Sequence, residues 1–219
     1  MRNIKVLGLA LTAVLAMSAF AAATASANEF NSESYPTTGT GTKDGEFLDV
    51  LTLTAGTVKC TTPTYKATLS AKSTSVSVAP SYAGCTGFGF PGEVVTTGCV
   101  YVFNIGAGAT TEGDVDLECT GANEITIISK SGATVKCTVH VKSQTDIGGT
   151  VKYINISAGA TREITVEANL TGIDYTHTAG TGIGACTSGS STTGTLTAKG
   201  VATGENAGGT HVGVFLTTA

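Results

Sequence analysis

The residues with the most defined chemistry in this 219-residue chain are six cysteines: Cys60, Cys85, Cys99, Cys119, Cys137 and Cys186. Thiols bind zinc, act as nucleophiles or oxidise in pairs. Zinc sites draw on closely spaced pairs, and here no C-x-x-C occurs; successive spacings are 25, 14, 20, 18 and 49. An even count in a chain that opens with an export leader reads as disulfides, which persist in an oxidising compartment. Six cysteines allow fifteen pairings. Short-range economy favours Cys85–Cys99 and Cys119–Cys137, leaving Cys60–Cys186. Hairpin arithmetic favours another set. A turn at Ala71-Lys72-Ser73-Thr74 sets Cys60 across from Cys85, one near Gly108-Ala109-Thr110 sets Cys99 across from Cys119, and Cys137–Cys186 remains. The first set is the expectation adopted, because the segment between Cys85 and Cys99 holds Gly87-Phe88-Gly89-Phe90-Pro91-Gly92 and would be a loose loop unless tied.

Other candidate chemistry is sparse. Residues 87–92 match G-x-G-x-x-G, but phosphate cradling needs a helix opening at the last glycine, and Pro91 and the flanking cysteines oppose one. His140, His177 and His211 are far apart and none lies in H-E-x-x-H. His140 alternates outward from a strand. His177, near Asp174 and Tyr175, is the better candidate for an oriented imidazole, although ordinary packing is the expectation for it too. Glu112, Asp114, Asp116 and Glu118 recur at every second residue and so share one strand face. Calcium gathers six to eight oxygens, and a straight strand spaces same-face carboxylates about 6–7 Å apart, too widely for one ion. A solvated face that discourages edge pairing is the plainer reading. Tyr82, Phe88, Phe90, Tyr101 and Phe103 surround the Cys85–Cys99 segment. Phe88 and Phe90 form a possible ligand patch, whereas Tyr101 and Phe103 share a face and belong in the core. No catalytic, metal or cofactor-binding set is expected.

The elements that must position these residues are strands. Residues 1–27 read as a cleaved signal peptide, with Arg2 and Lys5, an apolar run from Val6 to Ala23, and Ala25-Ser26-Ala27 at the cleavage point. The mature remainder, 219 − 27 = 192 residues, suffices for one substantial domain or two small ones meeting near Gly148-Gly149, of which one domain is the expectation adopted, and no later stretch is apolar enough to span a membrane. It keeps 12 − 2 = 10 basic residues against 16 acidic ones, a net charge of −6, which argues against nucleic acid as a partner. From Phe47 onward, short runs such as Thr74–Val78, Val115–Cys119, Glu124–Ile128 and Ala133–Val141 alternate apolar and polar residues with period two. Each therefore buries one face. About a dozen strands with Gly and Ser between them predict an all-β fold, an antiparallel sandwich or a barrel-like form of it, with helix close to nil. The organisation expected is a signal peptide (1–27), an N-terminal arm loosely ordered until it pairs with an edge (28–46), and one disulfide-stapled β domain (47–219). Residues 179–193 read as a Gly/Ser/Thr loop pinned by Cys186.

Pro80-Ser81-Tyr82-Ala83-Gly84-Cys85, the Phe-Gly-Phe-Pro turn and Gly98-Cys99-Val100-Tyr101-Val102-Phe103 carry a resemblance. The chain resembles a group of exported, cysteine-containing proteins of unknown function from high-GC actinobacteria. The resemblance extends from Thr57-Val58-Lys59-Cys60 to Gly172-Ile173-Asp174-Tyr175-Thr176, and it implies export and a β fold but no activity. The functional expectation is a secreted, non-catalytic structural or adhesive protein meeting cell-envelope or matrix components. An extracellular carbohydrate- or ligand-binding module is the alternative, and a secreted hydrolase with an unidentified site comes third.

Overall fold

A computed structural model of the chain describes residues 28–108, 110–158 and 161–217. The signal-peptide reading of residues 1–27 lies outside the described residues. Those residues form fifteen strands and no helix: β1 (Glu29–Ser32), β2 (Thr37–Lys43), β3 (Asp49–Leu53), β4 (Gly56–Leu69), β5 (Ser75–Gly87), β6 (Phe90–Val95), β7 (Cys99–Ile105), β8 (Glu112–Cys119), β9 (Ile125–Ser131), β10 (Thr134–Val141), β11 (Gln144–Ala158), β12 (Thr161–Ala179), β13 (Gly189–Asn206), β14 (His211–Val212) and β15 (Val214–Thr217). All named pairings are antiparallel, as Thr- and Val-rich runs of period two require.

Four long strands make the frame. β4 (14 residues) and β5 (13) pair with one another, as do β12 (19) and β13 (18). At about 3.3 Å per residue, each is long enough to run through two levels of structure. On one side β2 and β3 bridge β13 to β4, β2 at the upper level through residues 200–206 and 64–69, and β3 at the lower through 195–197 and 56–60. On the other side β7, β8 and β11 connect β5 to β12 above, while β6, β9 and β10 do so below. The sheet thus closes on itself at both levels. The upper circuit is β2, β4, β5, β7, β8, β11, β12 and β13, eight strands; the lower is β3, β4, β5, β6, β9, β10, β12 and β13, again eight. This is the barrel-like form of the expected antiparallel fold, and closure leaves few free edges. Eight strands enclose an interior just wide enough for packed side chains or one small ligand.

β1 and β15 form a separate two-stranded ribbon at the upper end. Phe30 bridges to Ser73 in the β4–β5 turn and sets its ring edge-on to Tyr153 at 5.1 Å. Asn155 holds the ribbon from the side, accepting from the Leu216 amide at 2.7 Å and donating to the Leu216 carbonyl at 2.9 Å.

Two expectations are corrected here. Residues 28–46 are not a loose arm: β2 is an interior strand between β13 and β4. Its sequence, TTGTGTK, has no apolar side chain to announce burial. Gly39 and Gly41 face Ala67 and Tyr65, and a Cβ at Gly41 would come 3.1 Å from that of Tyr65, so the large residue of each pair is supplied by β4. The disulfides are Cys60–Cys85, Cys99–Cys119 and Cys137–Cys186, replacing the expected Cys85–Cys99, Cys119–Cys137 and Cys60–Cys186. Register decides it. Cys60 lies directly opposite Cys85 and Cys99 opposite Cys119, each with Cα atoms 4.0 Å apart. The segment that seemed to need a tie is held otherwise, since β6 pairs with both β5 and β9. Cys186 pins the loop of residues 180–188 to β10, as the sequence suggested, but β13 begins at Gly189, inside the span read as loop.

Candidate functional site

The interiors of the two circuits differ in how they are filled. The upper one encloses an apolar chamber of about 150 Å³, and the lower one a chamber of about 60 Å³. The upper chamber follows from the side chains the sequence points inward. From β2 and β13 come Gly39, Gly41, Ala198, Gly200 and Ala202, with almost nothing beyond Cα. Facing them are Tyr82, Tyr101, Phe103 and Tyr153, whose rings form the opposite wall, while Tyr65, the cross-strand partner of Gly41, lays its ring beside Gly41 and Gly200. Protein interiors are otherwise packed as densely as organic crystals, and a wall of glycine and alanine against a wall of rings leaves space between them. Phe30, Val214 and Phe215 from the ribbon line the same chamber. The lower chamber is lined mostly by branched aliphatic residues such as Val58, Val94, Ile125, Ile127 and Ile173, which interdigitate more completely.

Tyr82, Tyr101, Leu170 and Leu196 line both chambers and so form the wall between them. A polar cluster sits at this waist. Tyr65 donates its hydroxyl to Asp49 Oδ2, the Tyr82 and Tyr101 hydroxyls are 3.2 Å apart, and the Tyr65 and Tyr82 rings meet edge-to-face at 6.2 Å. Asp49 is 3% exposed and lines the lower chamber. Its Oδ1 has no hydrogen-bond partner among the described residues. Burial pushes the Asp49 carboxyl up to about 6, against the opposing pull of the Tyr65 hydrogen bond. Burial likewise raises the Tyr65 hydroxyl far above its ordinary range, helped by the nearby Asp49 carboxylate, and pushes Tyr101 up to about 12. The tyrosines therefore stay protonated and can donate. At neutral pH the carboxylate is the acceptor of the cluster.

Sequence reasoning placed Tyr101 and Phe103 correctly in the interior but missed Tyr82, Asp49 and Tyr65. A signal was present. Asp49, Leu51 and Leu53 share one parity of β3, with Leu53 buried and Leu51 packed against the core, so a carboxylate occurs on an apolar strand face.

The residues singled out from the sequence fall elsewhere. Phe88 and Phe90 flank the β5–β6 turn at the lower end, remote from the upper chamber, and both are part-buried. Phe88 packs against the core, while Phe90 carries the Lys136 ammonium 5.6 Å from its ring centre. His177 is buried with Nδ1 against the Thr187 carbonyl, whereas Asp174 points to the other face of β12, so no Asp–His pair forms. His140 Nδ1 meets Glu124 Oε1 at 2.6 Å. The carboxylates of β8 do share a face, but β8 is an interior strand, so edge protection is not their role. Three of them are partnered: Asn104 donates to Asp114 and Asp116, the Asp146 amide donates to Asp116, and Lys152 pairs with Glu112. No group of three potential metal ligands occurs among the described residues, and no helix among them is long and apolar enough to cross a membrane.

Comparison with protein-family models, curated proteins and solved structures finds no match to the chain.

Proposed function

We propose that this is a secreted, non-catalytic binding protein that holds one small apolar molecule in the upper chamber. The observation that carries the reading is the chamber itself, about 150 Å³ between a Gly/Ala wall and a tyrosine/phenylalanine wall inside a closed eight-stranded circuit. A dry apolar cavity of about this size accepts a benzene-sized guest, and eight-stranded barrels are a recurrent setting for single small ligands. Three disulfides, typical of chains that work in an oxidising compartment, support placing it outside the cell. The test is titration with toluene. Expected results are a rise in melting temperature with ligand concentration and amide shift changes centred on Gly39, Ala198, Gly200 and Ala202, with both lost in Ala202→Leu. A native protein unchanged in both measurements at saturating toluene rejects the reading.

A surface structural or adhesive role is the second reading. It is favoured by the way the staples are placed, since Cys60–Cys85 and Cys99–Cys119 each tie strands that are already hydrogen-bonded neighbours. Such bridges reinforce a scaffold rather than tether a moving part.

A further inference from the structure

The waist between the chambers specifies more than apolarity. Asp49 is the single charged residue among those lining either chamber; it lines the lower one, and Tyr82, Tyr101, Leu170 and Leu196 are shared with the upper. A buried carboxylate usually has both oxygens engaged, because leaving one without a donor costs about as much as losing a charge-assisted hydrogen bond. Here Tyr65 satisfies Oδ2 and Oδ1 is left without a donor among the described residues. The Tyr82 and Tyr101 hydroxyls are 3.2 Å apart, one donating to the other, and neither is bonded to Oδ1. An unengaged acceptor at the junction of two apolar spaces is what a ligand with one donor group would complete.

We infer that the ligand is a small apolar amine or alcohol, its hydrocarbon body in the upper chamber and its one polar group, an ammonium or a hydroxyl, delivered through the tyrosine waist to donate to Asp49 Oδ1. This rests on the proposed binding function and narrows its ligand class. The body is limited to about the size of one six-membered ring by the 150 Å³ available. The donor replaces the hydrogen bonds that Asp49 gave up on leaving water, and with an ammonium the bond is charge-assisted. Tyr82 and Tyr101 act as the gate of selectivity, since their hydroxyls lie along the shared wall and can accept from the same group as it passes toward the lower chamber.

Calorimetric titration of the intact, oxidised protein at pH 7.5 with toluene, benzyl alcohol and benzylamine tests the inference. Benzylamine and benzyl alcohol are expected to bind at least tenfold more tightly than toluene, although both are the better hydrated in water. In Asp49→Asn the benzylamine advantage should fall at least tenfold while toluene affinity stays within twofold, which also shows that the variant keeps its fold. Tyr65→Phe, which leaves the carboxylate in place and frees its second oxygen, should retain the benzylamine preference. If toluene binds and benzylamine binds no better in the wild-type protein, the donor-recognition proposal is overturned and the apolar chamber stands; that comparison needs no variant. An Asp49→Asn variant that binds toluene and keeps the full amine preference overturns it as well. Should none of the three compounds bind, the binding function fails and this inference fails with it.

Discussion

The two halves of the barrel are built on the same four long strands yet are finished in opposite ways. Below the waist, branched aliphatic side chains fill the interior down to about 60 Å³, and two disulfides lie at this level: Cys60–Cys85 across β4 and β5, and Cys137–Cys186 binding the 180–188 loop to β10. Above it, the interior keeps about 150 Å³ and the mouth is crossed by a hydrogen-bonded ribbon rather than a covalent tie, with Cys99–Cys119 at the waist end of β7 and β8. Space inside a protein costs stability, on the order of 24 cal/mol per Å³ of cavity. A chain that leaves its upper end open inside must make up for it elsewhere, and the stapled, tightly filled lower end is where it does so. On the proposed binding function, ligand space and stability are divided along one set of strands.

The sharpest way to break that division is to cut the lower staple. Cys137→Ala with Cys186→Ala opens a bridge spanning 49 residues. In the chain-entropy model such a loop is worth about 4 kcal/mol, against about 3 kcal/mol for the 20-residue separation of Cys99–Cys119. Guanidinium denaturation of the two double variants should rank them in that order, and both should bind toluene when folded. If removing the waist staple proves the more damaging, the lower end is not the anchor.

Asp49 gives the next effect. Burial holds its carboxyl at about 6 in the folded protein, above its ordinary value of 3.8. Between these values the folded state binds more protons than the unfolded chain, so this group makes stability fall as pH rises from about 4 to about 6, with the full penalty present above 6. A difference of about two pKa units corresponds to about 3 kcal/mol. The groups facing it are Tyr65, Tyr82 and Tyr101, all neutral in that range, so no second titration interferes. Comparing wild type with Asp49→Asn isolates the group from the surface carboxylates. The stability advantage of the variant should grow from near zero at pH 3.5 to its plateau above pH 6.5. A difference independent of pH would show that Asp49 is not desolvated at the waist.

What the sequence disclosed and what it hid divide along the same line. The aliphatic strands of the lower half announce themselves: ITIIS in β9 and TVKCTVHV in β10 alternate plainly, because filling a narrow interior demands an apolar residue at every second position. Hairpin register was legible too, and the turn positions at residues 71–74 and 108–110 implied the observed cysteine partners; the economy of short loops misled because β6 occupies the segment assumed to be slack. The upper half hid itself. A wall that makes room for a guest is made of glycine and alanine, so β2 carried no hydrophobic signal and read as an arm. Asp49 was overlooked because a single acidic residue looks like a strand's solvent face until the register shows its neighbours Leu51 and Leu53 pointing inward. Binding sites of this kind are written in what is small or misplaced, and periodicity reports what is large and regular.

The smallest expected effect probes that small-residue wall directly. Gly39 lies in β2 with a backbone conformation open to any residue, and a Cβ there meets nothing nearer than the Ala67 Cβ at 3.8 Å. Gly39→Ala should therefore fit without displacing a neighbour, and it removes conformational freedom from the unfolded chain, so it should stabilise by about 0.4–1 kcal/mol. Because Gly39 lines the upper chamber, the added methyl also takes a little of its volume. Thermal melts with and without toluene separate the two consequences. The free protein should melt higher, and the toluene-induced rise should shrink. Gly41→Ala is the contrasting control: its Cβ would lie 3.1 Å from that of Tyr65, which is fixed to the β4 backbone, so the strands must give by a few tenths of an ångström and the substitution should lose stability instead. Two glycines on one face of one strand, giving opposite signs, would show that the upper wall is small at Gly41 because Tyr65 requires it and small at Gly39 because the chamber does.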